Sequence, residues 1–398
     1  MIGQVPKEFR EYALDEASKV ARLVLVTNLP ADWHRTYCEE VLEIDLDAPD
    51  ARSKIARHLS DAVDGVYTLD ERYVELTAHL VDDLGLPGAG RNSISRFKDK
   101  AALREMTHRR DYSLEFGVAY TVEQALDVAS EIGYPVVLKP RALGGSIGVV
   151  RVEDDDQLRR AFHVAHRAKV GTIASAYQGV LVEEFAVGPG ISVNSYVHEG
   201  NTTMCFVSDR LVGLEPYFEE LGHNVGPITD DISDKIGGIV EDIHCLSEFD
   251  GGVSNIEFVL TDAGPKLIEV NARLSGDLIP YLGLRATQIN LARTAAHLAL
   301  GLAPDEIRST AGAAAIRFIY PQRRIVFDGI EWPPLDRHTE DFDILISEIA
   351  DKGTSIAPPP EEFMARLAYA IVVGKDKDEV VSAVDWIVEN VIVREPGE

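Results

Sequence analysis

The chain has 398 residues, 66 of them acidic against 39 basic, for a formal net charge of −27, and 45% of it is hydrophobic. A surface that negative repels polyanions, which argues against nucleic acid and anionic membranes as partners, and the length allows more than one domain. The three cysteines show neither CxxC nor histidine spacing, no run reaches the roughly 18 apolar residues of a membrane span, and residues 1–10 lack a secretion-signal layout, so a cytoplasmic protein with reduced thiols is expected.

In chain order, 11–21 carry helical periodicity, 23–27 (LVLVT) read as a buried strand and 41–46 as another. Residues 53–62 read as a helix, 65–69 as a short strand, and 73–84 as an amphipathic helix closed by Gly85. Strands alternating with helices predict a small parallel α/β unit. Residues 93–105, SISRFKDKAALRE, form a basic helix start.

Gly133-Tyr134-Pro135 leads into VVLKPRALGGSIGVVRV. An apolar strand, 136–139, ends in Lys139; Gly144, Gly145 and Gly148 make a flexible turn, and 149–152 form a second strand. Backbone N–H groups in such a turn can approach phosphate oxygens closely, and the lysine can neutralise them. No GK[ST] follows, so this is not a Walker loop, and no GxGxxG opens a helix, so it is not a Rossmann fingerprint. Residues 180–185 (VLVEEF) and 191–197 read as strands flanking AVGPG. In 215–227, EPYFEELGHNVGP, Tyr217 and Phe218 read as packing residues and His223 as a solvated histidine; 234–248 read as a helix.

Residues 255–276, NIEFVLTDAGPKLIEVNARLSG, organise the rest. Two alternating runs flank the turn Asp262-Ala263-Gly264, which predicts a β-hairpin. Period two sets Glu257 opposite the face of Ile256, Phe258 and Leu260, and lets Glu269, Asn271 and Arg273 share a face. Taken alone, Glu257 is an ordinary solvated glutamate. Taken as a set, two carboxylates and an amide oxygen converge, a hard-oxygen arrangement that suits Mg²⁺ beside nucleotide phosphates.

Further on, 288–300 read as a helix ending at Gly301, and 311–320 as a buried strand whose one charge, Arg317, needs an anion: a structural ion pair or a substrate contact. A strand near 344–346, a break at 358–360, a strand at 368–373, a helix over 378–388 and a last apolar run at 391–393 complete the chain.

IEF followed by LIEVNAR resembles the metal-binding signature of the ATP-grasp superfamily, and LSGDLIP after it is similar to the L-amino-acid (dipeptide) ligase branch of its carboxylate–amine ligases. The resemblance covers nearly the whole chain from about residue 13 and implies an α/β and α+β multidomain protein. Its parts would be an N-terminal pre-grasp α/β domain over 1–92, an ATP-grasp domain over 93–310 with a lid at about 120–187 and the metal hairpin at 255–273, and a small C-terminal α+β subdomain over 311–398. Carried over by position, Glu257, Glu269 and Asn271 would hold Mg²⁺, or Mn²⁺ in its place, and Arg273 the substrate carboxylate or its acyl phosphate. Lys100, Lys139, Gly144, Gly145 and Ser146 would hold the phosphates of ATP. Glu183, Phe185 and Ala186 would form the adenine hinge, with Glu184 at the ribose, while His223 and Arg317 would stand at the substrate site.

Three departures stand out. The family commonly has GPE where this chain has GPG at Gly190, Asn194 stands where relatives frequently have glutamate, and residues 1–10 are poorly strand-like where the family opens with a strand and a glycine loop. The implied reaction joins a small carboxylate to an amine at the expense of ATP, in a protein that is a homodimer in many relatives. Two rivals are a carboxylase of the biotin-dependent or purine type and a nucleotide-binding module without catalysis.

Overall fold

The computed structural model describes residues 1–60, 62–170, 173–174, 177–307, 310–335 and 341–397. The N-terminal unit begins with helix α1 (Lys7–Ser18), then strands β1 (Leu23–Thr27) and β2 (Cys38–Glu43), and helices α2 (Ala51–Leu59) and α3 (Val74–Leu84). β1 and β2 are parallel, as the alternation predicted. Ile2 forms single parallel bridges to Val26 and to Thr68, and Gly3 follows at φ +131°, so a strand–glycine–helix order is present in abbreviated form. The expected strand at 65–69 reduces to that one bridge at Thr68, and the first helix starts four residues early, behind Pro6, whose φ of −67° already suits a helix entry. Gly85, left-handed at φ +63°, closes α3 as predicted.

Helices α4 (Arg91–Lys98) and α5 (Lys100–Thr107) meet at Asp99, whose side chain caps α5 by accepting from Ala101 N. A four-stranded antiparallel sheet follows, built from β3 (Phe116–Ala119), β4 (Val136–Pro140), β5 (Val150–Val152) and β6 (Val180–Glu184) in the order β3-β6-β4-β5. Helices α6 (Val122–Ile132) and α7 (Asp155–Arg167) cover it, and Leu138, Leu158, Phe162 and Val182 fill the core between them. This is the lid unit.

The third unit is one eight-stranded antiparallel sheet. Its strands are β7 (Gly190–His198), β8 (Asn201–Gly213), β9 (Glu219–Gly226), β10 (Gly252–Thr261), β11 (Gly264–Asn271), β12 (Ala313–Ile319), β13 (Asp343–Glu348) and β14 (Ala368–Gly374), in the order β11-β10-β7-β8-β9-β12-β14-β13. The predicted hairpin is therefore one edge of a sheet that continues, without interruption at residue 311, into the C-terminal strands. Helix α8 (Asp230–Ser247) covers the hairpin end, where Val240, Ile243, Ile256, Phe258, Leu267 and Val270 pack together. The expected helix at 288–300 is shorter and has an unforeseen partner. Helix α9 (Ile279–Thr287) ends at Gln288, left-handed at φ +64°, and α10 (Leu291–Ala299) restarts behind Asn290, whose side chain accepts from Arg293 N. Helix α11 (Lys377–Glu389) packs on β12 and β14 through Val380, Val384 and Ile387.

Candidate active site

The β10–β11 register sets Glu257 opposite Glu269 and Asn255 opposite Asn271. A bulge after Glu257 leaves Ile268 without a partner, because Phe258 pairs with Leu267. The bulge reverses parity, so Leu267 and Val270 both enter the core while Glu269 keeps to the face of Glu257. The two carboxylates do not stand free. Glu257 meets Arg210 of β8 at 2.6 Å, and Glu269 meets Lys100 of α5 at 3.1 Å. Arg210 also pairs with Glu220. Burial would lower the pKa of Arg210, but Glu220 and Glu257 outweigh that and raise it, so it is a fixed positive charge. Burial pushes Glu257 up to about 7, with Glu269 adding to the rise and Arg210 opposing it.

The donor set fits a hard divalent cation. The side-chain amide oxygen Oδ1 of Asn255, opposite Asn271 in the ladder, is buried without a hydrogen-bond partner. Among the described residues no group of three or more His, Cys, Asp or Glu forms a metal cluster. The set at the hairpin has two carboxylates and an amide, which leaves positions for phosphate oxygens and water.

Arg273, just beyond β11, donates to Glu71 at 2.7 Å and to Leu274 O at 2.7 Å. Glu71 also receives Lys98 at 2.8 Å. Burial alone would raise the pKa of Glu71; Arg273 and Lys98 instead bring it down to about 2. Lys100 donates to Leu143 O at 2.7 Å, which ties α5 to the start of the lid's glycine loop. In that loop Gly145 (φ +67°) and Ser146 (φ +54°) are left-handed. A Cβ on Gly144 would lie 3.6 Å from the Glu71 side chain, and one on Gly145 would lie 2.6 Å from the Met364 sulfur, so the loop rests on both walls of the cleft.

Lys139 at the end of β4 is buried against Glu183, which also pairs with Arg104 at 3.0 Å. Burial lowers Lys139 to about 8; Glu183 opposes the fall, and Arg104 and Lys100 add to it. Arg104 donates to Ile268 O at 2.8 Å, so this triad touches the hairpin bulge. The role expected of Glu183 at the hinge is one for its backbone, which lies within the ladder opposite Phe116 and Val137, while its side chain is the counter-ion of Lys139 and Arg104. Phe185 and Ala186 follow the strand end, with the Arg151 guanidinium 4.3 Å over the Phe185 ring. Glu184 is half-buried and accepts from Glu115 N at 3.3 Å.

His223 is a buried residue of β9, not the solvated loop histidine expected from its neighbours. Its Nε2 lies 3.2 Å from Asp277, and its Nδ1 is buried without a partner. Burial alone would raise the pKa of Asp277, but Arg366, held at 2.5 and 2.8 Å, and His223 hold it well below the usual carboxylate range. An ionised Asp277 can only accept, which puts a proton on Nε2; in the neutral imidazole Nδ1 is then the acceptor. Arg317 is not at this site. It pairs with Asp385 of α11 at 2.7 Å and donates to Asn224 at 2.8 Å, which corrects the substrate-contact alternative in favour of a structural ion pair. Of the two departures noted at β7, Asn194 accepts from the Ser275 hydroxyl, and Gly190 sits opposite Arg210.

Gly144, Gly145, His223, Glu257, Asn271 and Arg273 line one cleft of about 430 Å³ between the three units. Sequence reasoning missed Glu71, Lys98, Arg210, Asp277 and Arg366 there. A period-two reading of β8 marks Arg210 as a charge in an apolar strand; for the others the signal is their spatial partner, which the chain order hides.

Residues 132–280 match the ATP-grasp domain family model. An uncharacterized protein, y4rH of Sinorhizobium fredii, is 26% identical over 371 residues, covering 88% of this chain and 73% of that one. The crystal structure of L-amino acid ligase from Bacillus licheniformis superposes with a TM-score of 0.84 at 20% identity, covering 100% of this chain and 98% of the other. The biotin carboxylase domain of Hydrogenobacter thermophilus 2-oxoglutarate carboxylase, solved with MgADP and bicarbonate, gives 0.73 at 18% identity, covering 99% and 90%.

Proposed function

We propose that this chain, whose residues 132–280 match the ATP-grasp domain model and whose fold is shared with ATP-dependent ligases and carboxylases, uses ATP and Mg²⁺ as a carboxylate–amine ligase. It joins a small carboxylic acid, such as an amino acid, to an amine through an acyl phosphate, and releases ADP and phosphate. One observation carries this reading: Glu257 and Asn271 of the hairpin, Arg273 and the lid's glycine loop all line a single cleft.

Arg273, aligned by Glu71, holds the substrate carboxylate for attack on the γ-phosphorus of ATP. Lys139, oriented by Glu183, and Lys100, oriented by Glu269, balance phosphate charge together with the backbone of Gly144, Gly145 and Ser146. Glu257, Glu269 and Asn271 would hold Mg²⁺, which when bound offsets the charge that builds between nucleotide and acid. The amine nitrogen then attacks the acyl carbon, phosphate leaves, and the nitrogen gives up a proton. Nδ1 of His223, the free acceptor of the His223–Asp277 pair, is the group assigned to receive it. Phe185 and Ala186 receive the adenine and Glu184 the ribose. The glycine loop, resting on Glu71 and Met364, closes the cleft so that water does not hydrolyse the acyl phosphate.

The test is ADP and phosphate release with Mg²⁺ across amino acids singly and in pairs, with mass spectrometry of each positive mixture. Release that needs two amino acids, with a product lighter than their sum by one water, supports the ligase. Release with bicarbonate and one acceptor replaces it with a carboxylase.

A further inference from the structure

The positive side chains of the cleft are almost all matched to acids. Arg72 pairs with Asp70 at 2.8 Å, Lys98 and Arg273 with Glu71 at 2.8 and 2.7 Å, Arg210 with Glu257 at 2.6 Å, and Arg366 with Asp277 at 2.5 Å. Arg10 is different. It lines the same cleft from the first turns of α1, and among the described residues it makes no ion pair with a carboxylate. Its guanidinium, with the uncharged Tyr12 hydroxyl as its other close polar neighbour, donates from Nη1 to Ser275 O at 3.1 Å. That bond sets it over the segment between Arg273 and Asp277, close enough for both charges to act on it.

A half-buried guanidinium cannot shed its proton, and in a chain with 27 more negative than positive charges it would be easy to match. Leaving it unmatched while burying it costs free energy, and burial indeed lowers its pKa. Gln4, Pro6, Phe9 and Leu69 line the same cleft from the N-terminal unit, and Glu71, Glu257 and Asp277, acids that line it with them, each pair with another cation. Asp277 acts on Arg10 without forming an ion pair with it, its oxygens being engaged by Arg366 and His223.

We propose that Arg10 anchors a second carboxylate in the cleft, one that is not activated, and that it belongs to the amine substrate. This rests on the ligase reading. It makes the amine substrate an amino acid or peptide with a free carboxylate, and excludes simple amines as good acceptors. Arg273 then orients the acid to be phosphorylated, and Arg10, reaching in from the N-terminal unit, orients the acid to be spared. A planar, two-donor cation suits a carboxylate held in one fixed pose.

The experiment compares each amino acid with its carboxamide, both as nucleophile in the ADP-release assay and as ligand in calorimetric titration. For the wild type, the carboxamide should have a KM, and bind with a dissociation constant, roughly ten- to a hundredfold above that of the free acid. Arg10→Gln should raise the KM of the free acid by a similar factor, leave that of the carboxamide unchanged, and leave the KM for ATP unchanged. Arg10→Lys, which keeps the charge and loses the fork, should fall between them and serves if the glutamine variant does not fold. Equal use of acid and carboxamide by the wild type overturns the proposal, as does an equal effect of Arg10→Gln on both. Titration separates the two readings: carboxylate-dependent binding that Arg10→Gln removes, without any ligase turnover, keeps the anchor and sinks the ligase, whereas turnover indifferent to the carboxylate keeps the ligase and sinks the anchor. Absence of both overturns both.

Discussion

Glu257 and Glu269 face each other in register across β10 and β11, and each is met by its own cation, Arg210 at 2.6 Å and Lys100 at 3.1 Å. The pairing offsets the repulsion between two carboxylates held side by side. Removing Glu269 would strand Lys100, whereas Arg210 keeps Glu220 if Glu257 is lost, so at Glu269 a variant that keeps the shape is the sharper probe.

Glu269→Gln keeps an acceptor for Lys100 and removes a negative ligand. ADP formation should fall on the order of a thousandfold, with the circular dichroism spectrum and melting temperature close to wild type. Activity within a few fold of wild type would remove Glu269 from the metal set.

Lys139 gives a pH signature. Its free-state pKa of about 8 rises when a phosphate binds, so the charged form is the binding form. Nucleotide affinity is therefore full below about pH 8 and falls by up to tenfold per unit above it. In Lys139→Arg, which stays protonated, that slope should disappear. A flat wild-type profile up to pH 9.5, measured by titration with ATP, would place Lys139 away from the phosphates.

Gly145 and Gly144 should part company on substitution. Alanine at 145 suffers a left-handed φ of +67° and a Cβ 2.6 Å from the Met364 sulfur, whereas at 144 the nearest atom is 3.6 Å away. Gly145→Ala should raise the KM for ATP roughly tenfold, and Met364→Ala should recover part of that; Gly144→Ala should change it by less than about threefold. Equal effects from the two single variants would dissociate loop seating from nucleotide binding.

Arg317→Met should lower stability by roughly 1–3 kcal/mol, through the loss of Asp385 and Asn224, and leave KM for both substrates unchanged. Chemical denaturation and steady-state kinetics on one preparation decide it. A raised KM at unchanged stability would restore the substrate-contact alternative.

The hairpin was legible because alternation is a local signal: two short alternating runs joined by the turn Asp262-Ala263-Gly264 suffice to bring Glu257 and Glu269 across from each other. The bulge at Ile268 was not, since one unpaired residue leaves no mark on composition. The glycine loop and Lys139 were legible for the same local reason. The opposite wall was hidden: Glu71 sits 202 positions from the Arg273 it holds, and Arg366 lies 89 from Asp277. Sequence placed the buried arginine of β12 correctly and knew that it needed an anion, but only packing of α11 says which one. The C-terminal strands were read as strands, yet their membership in the hairpin's own sheet is a matter of topology that no local pattern encodes.

That shared sheet divides the labour of the molecule. The hairpin edge and the strands beside Arg366 belong to one hydrogen-bonded plate, while the glycine loop hangs from another. The cleft is therefore walled from three sides: the sheet supplies Glu257, Asn271 and His223, the N-terminal unit supplies Arg10 and Glu71, and the glycine loop supplies Gly144 and Gly145. On the ligase reading, each wall can be recut without touching the backbone hydrogen bonds that hold the other two.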